Sequence, residues 1–151
     1  MKTPSLPLTK TEKGLLRQAK VKLSDIHTLE IDTLTNILGI SDNNAKMLRG
    51  LAVFQTIPSI GHKLAENLVY HLKICTLEDI KKEDGAALFD RLEETLGYWT
   101  DTCVEDQLRC VIHYANNPNS DKQWFHFTDE RKKYRNTFGF PLSRPKKAWY
   151  D

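Results

Sequence analysis

Long apolar runs are missing from this chain. No stretch approaches the roughly 18 uncharged apolar residues of a membrane span, so a membrane-spanning helix is excluded. Its first residues, Met1–Leu8 (MKTPSLPL), have neither the continuous apolar run nor the small-residue cleavage site of a secretory leader. The expectation is a soluble, cytoplasmic protein. Cysteine is scarce: Cys75, Cys103 and Cys110 are an odd number with no CxxC spacing, which argues against a disulfide framework and for a reducing compartment. Alternating apolar and polar residues, and two-residue hairpin turns, are also lacking, which leaves little room for a sheet. With 40% apolar and 28% charged residues in 151 positions, the chain has the balance of one folded domain with some tail.

Charge is unevenly distributed. Residues 1–22 carry six basic groups (Lys2, Lys10, Lys13, Arg17, Lys20 and Lys22) against Glu12 alone, a net +5. Residues 23–120 carry eight basic and fifteen acidic groups, a net −7, and residues 121–151 carry eight basic and four acidic groups, a net +4. Basic ends around an acidic middle are expected where terminal arms meet phosphate and the core does not; a solubilising surface gives the same pattern. Three parts follow: a basic N-terminal helix or arm over 1–22, a helical domain over 23–120, and a basic, aromatic C-terminal tail over 121–151.

Helical signals fill the chain. Thr9 or Thr11 caps a predicted first helix through Val21, with Leu15, Leu16 and Ala19 on one face. A second runs from about Thr28 to Leu38 and stops at Gly39. Ser41-Asp42 caps a third carrying Ala45, Leu48, Leu51 and Ala52. Pro58 breaks the chain, and Gly61 opens a fourth bearing Leu64, Ala65, Leu68, Val69 and Leu72. After a short turn at Leu77–Lys82, Asp84 caps a helix from Gly85 to Leu96, and Asp101 caps a long one to about Asn116. Asn116–Ser120 is a loop, Glu130–Arg135 a short helix, and Gly139–Asp151 an extended tail.

An internal repeat sharpens this pattern. Ile37–Leu48 (ILGISDNNAKML) aligns with Ile57–Leu68 (IPSIGHKLAENL) at an offset of twenty residues, pairing Ile37 with Ile57, Ile40 with Ile60, Ala45 with Ala65 and Leu48 with Leu68. Both copies resemble the helix-hairpin-helix pattern, apolar–x–Gly–apolar–Gly–x–x–x–Ala. Small residues let the backbone turn tightly, the central Ile plugs the core, and Ala allows close helix packing. The second helix of such a hairpin begins with free N–H groups and a positive dipole end, which suit a phosphate. In the second copy His62 and Lys63 follow Gly61 and add donors and charge, whereas the first copy puts Asp42, Asn43 and Asn44 there. Copy one reads as scaffold and copy two as contact. Ser59 replaces the first glycine of the contact copy, and the short offset requires one helix to serve both hairpins.

The run from Phe54 to Asn117 resembles the small bacterial helix-hairpin-helix proteins of the pathogenicity locus family. The landmarks are the IPxIGxxxAxxL hairpin, the TLEDI turn, the LFDRLEETLG helix, and Asp101-x-Cys103 followed by Arg109-Cys110-Val111-x-His113-Tyr114. The resemblance implies a compact helical domain related to DNA-binding hairpin modules and brings no defined activity with it. The expected fold is all-α, built on tandem overlapping helix-hairpin-helix (SAM-like) motifs.

Other chemistry is weakly signalled. Cys103, Cys110 and His113 share a helix face, but one helix cannot wrap a metal that needs three or four converging ligands. Pairing His71 with Cys75 leaves the imidazole unoriented and no oxyanion donor indicated. Glu78, Asp79, Glu83, Asp84, Glu93 and Glu94 read as a solvated face. No enzyme, metal or cofactor is expected. The C-terminal segment interleaves Trp124, Phe125, Phe127, Phe138, Phe140, Trp149 and Tyr150 with basic residues, a composition that suits stacking on single strands or clamping a backbone; docking of Trp124 and Phe125 onto the core is the simpler role for those two.

The leading expectation is a non-enzymatic protein that grips duplex DNA without sequence preference. Its contacts would be Ser59, Ile60, Gly61, His62 and Lys63, helped by Lys46, Arg49, Arg131, Lys132, Lys133 and Arg135. The alternative is a protein-interaction module in which the acidic stretch 74–120, ten acids against four bases, is the docking surface and the hairpins are scaffold.

Overall fold

The computed structural model describes residues 2–151, and the elements among them are all helices, with no sheet; a lone parallel bridge joins Trp99 to Ala148. Helix α1 (Lys10–Gln18) opens on a capping box in which Thr9 and Glu12 each bond the other's backbone amide. It ends before Val21, because Lys20 turns to φ +60° and the Lys20 and Val21 amides fold back onto Arg17 and Leu16. The second helix begins three residues later than the expected Thr28: α2 covers Ile31–Leu38, and a separate 3-10 turn, Leu23–Thr28, precedes it. Gly39 ends α2 at φ +66°, a left-handed cap that glycine adopts without steric penalty. Ser41 then caps α3 (Asp42–Phe54) by accepting the Asn44 amide.

Helix α4 (His62–Glu66) follows the Pro58 break and widens into a π-helical turn over Asn67–His71. The one-turn α5 (Leu77–Ile80) and α6 (Gly85–Leu96) are capped by Thr76 and Asp84, and Gly97 closes α6 at φ +79°. Helix α7 runs Cys103–Asn116 with Thr102 at the cap position; Asp101, expected there, sits one residue earlier and accepts the Cys103 amide. A 3-10 turn, Trp124–Phe127, leads into α8 (Thr128–Phe138), which is longer than the short helix expected over 130–135.

Two apolar clusters meet on α3. Ala45, Leu48 and Ala52 join Leu16, Ile26, Leu34 and Leu38 beneath α1 and α2, while Leu51 and Phe54 join Ile57, Ile60 and the buried faces of α4, α6 and α7. One helix thus separates the two turns and contributes to the core behind each. Ile57 and Ile60 are fully buried, worth about 1.5–3 kcal/mol each by transfer, and this fixes the turn between them. Gly50 has no room for a side chain, since a Cβ there would lie 2.9 Å from the Cys75 carbonyl; α3 and the segment after α4 touch backbone to backbone.

Residues 2–9 lie along α3 in reverse. Lys2 Nζ donates to the Ile60 carbonyl at 2.8 Å, and Ser5 exchanges two hydrogen bonds with the buried Gln55 side chain. Pro7 and Leu8 then border a 190 Å³ cavity with Met47, Leu48 and Leu51. The basic N-terminal segment is therefore strapped to the core from the second turn back toward the first.

Candidate nucleic-acid interface

The turn between α3 and α4 is held from three sides and open on the fourth. Ile57 and Ile60 plug the core, and the Ile60 amide bonds the Ile57 carbonyl at 3.1 Å. Ser59 sits at φ +66°, the same value as Gly39 twenty residues earlier. Placing serine there instead of glycine costs conformational energy, offset by its hydroxyl, which accepts the Trp124 amide at 2.9 Å. Gly61, His62 and Lys63 are exposed. Among the described residues, the amides of Gly61, His62, Lys63 and Leu64 have no acceptor within the chain, and Gly61 supplies no side-chain cap. Lys2 comes to this turn from one end of the chain and Trp124 from the other. Burial draws the Lys2 ammonium below the usual lysine range.

The first turn differs in polarity. Its Ser41 hydroxyl caps the Asn44 amide, and Asp42 stands in the first turn of α3, so a phosphate would meet a carboxylate.

Of the expected helper residues, few gather at the Gly61 turn. Lys46 is exposed on α3, and Arg49 is half-buried with Nη1 3.4 Å from the Leu29 carbonyl. Both lie near Cys75, and Lys46 is about 12 Å of helix axis from the end of α3. Lys132 and Lys133 are exposed on α8, beside Asp129 and Glu130 in a shallow groove.

Arg131 and Arg135, expected as helper contacts, are both paired within the chain. Arg131 Nε and Nη2 hold the Asp106 carboxylate at 2.7 and 3.3 Å, with Thr128 completing the site. Arg135 bonds Glu105, Asp90 and the carbonyls of Ala86 and Gly139. Its side chain is only 7% exposed, and Glu105 and Asp106 are 0% and 1% exposed. Burial works against the Arg135 charge, but its hydrogen bonds to the Asp90 and Glu105 carboxylates outweigh it and hold the guanidinium above its ordinary pKa. The Asp106 hydrogen bond raises Arg131 likewise. Both arginines are fasteners for α8.

Glu93 belongs to the same system and not to a solvated face. It is fully buried, is gripped by Arg144 Nε and Nη2 at 2.7 and 3.1 Å, and accepts the Thr100 amide at 2.7 Å. Phe140 lies between two guanidinium groups, with Arg135 and Arg144 4.2 and 3.8 Å from its ring centre. The last residues are correspondingly not a loose tail: Trp99 donates to the Lys147 carbonyl and accepts the Trp149 amide. Near α8, Phe127 is the buried ring and Phe125 is half exposed. The signal for this fastening was residue type. In residues 121–151 every arginine turns inward and every lysine is exposed, as expected when a planar fork suits buried carboxylates better than an ammonium does.

A family model described as Pathogenicity locus matches residues 47–133, more than half of the chain. The chain belongs to that family. The match is wider than the 54–117 landmarks and takes in the Gly61 turn, the Glu105–Asp106 pair and Arg131. No curated protein and no solved structure matches this pathogenicity locus chain. Arg135 and Arg144, which complete the buried pairs, lie beyond the matched span.

The cysteines of this pathogenicity locus protein are held as thiols. Burial first, then Asp101, pushes Cys103 up to about 11, and burial pushes Cys110 up to about 11. Cys75 is raised mainly by burial. Thiolate nucleophiles require the opposite shift. Among the described residues, no three His, Cys, Asp or Glu side chains gather as a metal ion would require, and no helix is long and apolar enough to cross a membrane.

Proposed function

We propose that the two turns are helix-hairpin-helix motifs sharing α3, and that the second grips the phosphate backbone of duplex DNA without sequence preference. The observation that carries this reading is the exposed Gly61–Lys63 corner, with its run of unbonded amides beside Lys63 and Lys2. Backbone amides and lysines recognise phosphate oxygens and carry no base information, which is why no sequence preference is assigned. The contact set is Gly61, His62, Lys63 and Lys2. Ser59 and Ile60 shape the corner from within, the first through Trp124 and the second through the core.

A corner with two lysines neutralises few phosphates. Affinity is then on the order of 10⁻⁴–10⁻⁶ M at physiological salt, with a slope of log K against log salt of about −2. Fluorescence anisotropy with labelled duplex at low salt tests this. Lys63→Glu is expected to weaken binding several-fold and to flatten the salt dependence; binding unchanged in Lys63→Glu, or insensitive to salt, refutes it. The protein-docking alternative is weakened because Glu93, Glu105 and Asp106, three of the ten acids in 74–120, are buried on the chain's own arginines.

A further inference from the structure

An aromatic pocket lies where the chain's last residues return to the loop after α6. It encloses about 420 Å³, with Trp99, Trp149 and Tyr150 supplying its rings and Arg144, Thr100 and Asp101 its polar wall. The Trp99 and Tyr150 rings stand at 89° with centres 5.7 Å apart, and Tyr150 and Trp149 at 90° and 5.6 Å. Trp149 and Tyr150 remain 57% and 66% exposed. These exposed rings are held in place. The Trp99–Ala148 bridge fixes the backbone on both sides of Ala148, Asp151 caps the Ala148 amide at 2.8 Å, and the Arg144–Glu93 pair anchors the segment five residues upstream of Trp149. A rigid apolar surface facing water has no role in the core, since only Ala148 of the last four residues is buried.

The electrostatics limit what enters. Lys146 and Lys147, immediately before the rings, are exposed, while the Arg144 charge is matched by buried Glu93. Lys146 and Lys147 attract an anion on their side of the rings, offset in part by the exposed Asp151. Asp101 at the wall repels phosphate from the pocket itself, so the charged part of the ligand must stay outside on the lysine side while a neutral, flat part goes in. Thr100, also on the wall, carries the only buried side-chain polar atom without a hydrogen-bond partner among the described residues, its Oγ1. A polyanion with flat, neutral, hydrogen-bonding appendages is a nucleic acid whose bases are unpaired.

We propose that this pocket stacks an unpaired base of single-stranded nucleic acid, with Lys146 and Lys147 on the adjoining phosphates. The assignment rests on the nucleic-acid reading of the Gly61 corner for its class of partner, and adds a second, separate contact for unpaired ends or gaps beside duplex.

The test uses the full chain with Trp124→Phe, so that fluorescence reports on Trp99 and Trp149. Titration with an oligodeoxythymidine of about twelve nucleotides is expected to quench the emission, and inorganic polyphosphate is expected not to. Trp149→Ala and Tyr150→Ala, both at exposed positions and checked for fold by circular dichroism, are each expected to weaken the oligonucleotide by roughly 5- to 100-fold. Unchanged affinity in both variants, equal quenching by polyphosphate, or quenching by a proline-rich peptide but not by the oligonucleotide overturns the pocket. The two contacts fail separately. Duplex binding that ignores Lys63→Glu while oligodeoxythymidine still quenches removes the Gly61 corner alone; duplex binding lost in Lys63→Glu without any quenching removes the pocket alone.

Discussion

Removing the Glu105 carboxylate tests whether the C-terminal segment is fastened by charge. Glu105 is completely buried and accepts three hydrogen bonds, two from Arg109 at 3.0 and 2.9 Å and one from Arg135 at 2.9 Å. The two arginine side chains are 11% and 7% exposed, so neither recovers full hydration when its partner disappears. Breaking a buried pair from one side costs about 3–5 kcal/mol. Arg135 keeps Asp90 and two carbonyls, which draws the estimate for Glu105→Ala toward the lower end, about 3 kcal/mol. Arg109 keeps only Glu130, which is 62% exposed, and removing that outer partner in Glu130→Ala costs about 0–1 kcal/mol. Urea unfolding monitored by circular dichroism reads both. A loss of 3 kcal/mol corresponds to a Tm lower by about 6–12 °C in a chain of this size. Glu105→Gln keeps the volume and one acceptor but loses the charge, and is expected between the two. Trypsin should also cut faster after Lys132 and Lys133 in Glu105→Ala as α8 loosens. If Glu105→Ala and Glu130→Ala lose the same stability, the buried network does not hold α8 and the reasoning fails.

Three further outcomes follow from the geometry. Ser59→Ala keeps the left-handed strain and discards the Trp124 bond, so it should be less stable than Ser59→Gly by about 1 kcal/mol, and Gly39→Ala, with open space around it, should lose a similar amount from backbone conformation alone; denaturant midpoints compare them. A Cβ on Gly85 would lie 2.5 Å from Arg109 Cγ, so Gly85→Ala should cost about 1–3 kcal/mol by displacing Arg109 from Glu105, and little of that loss should remain in an Arg109→Ala background. Cys103 and Cys110 titrate near 11 in the folded chain against an ordinary 9.0: the folded state holds the extra protons, so their contribution is complete below pH 9 and is lost as pH rises toward 11. A Cys103→Ser, Cys110→Ser variant should therefore show a shallower fall in stability over that window, and equal slopes would refute the shift.

Much of the helical order is legible locally. Ser41, Thr76 and Asp84 cap helices where side-chain chemistry puts them, and Gly39 and Gly97 end helices in the left-handed region. The second turn is local as well, because Ile57 and Ile60 are core residues at the spacing of one tight turn, whereas Ile37 and Ile40, their counterparts in the first copy, are only partly buried. The fate of each charge is different. Arg131 and Lys132 are neighbours in sequence, yet one grips Asp106 twenty-five residues away and the other faces solvent.

The missing apolar runs, the scarce cysteines and the helical spacing determined by themselves an all-α chain with two small-residue turns. Those are local properties of backbone sterics and periodicity, fixed within a few residues. Only the tertiary structure decided that the first residues strap α3, that the acidic middle spends Glu93, Glu105 and Asp106 on Arg144, Arg135 and Arg131, and that Trp149 and Tyr150 share a pocket with Trp99. The physical reason is that an ion pair or a ring contact depends on a distance through space between distant segments, and burial then decides which charges still face water.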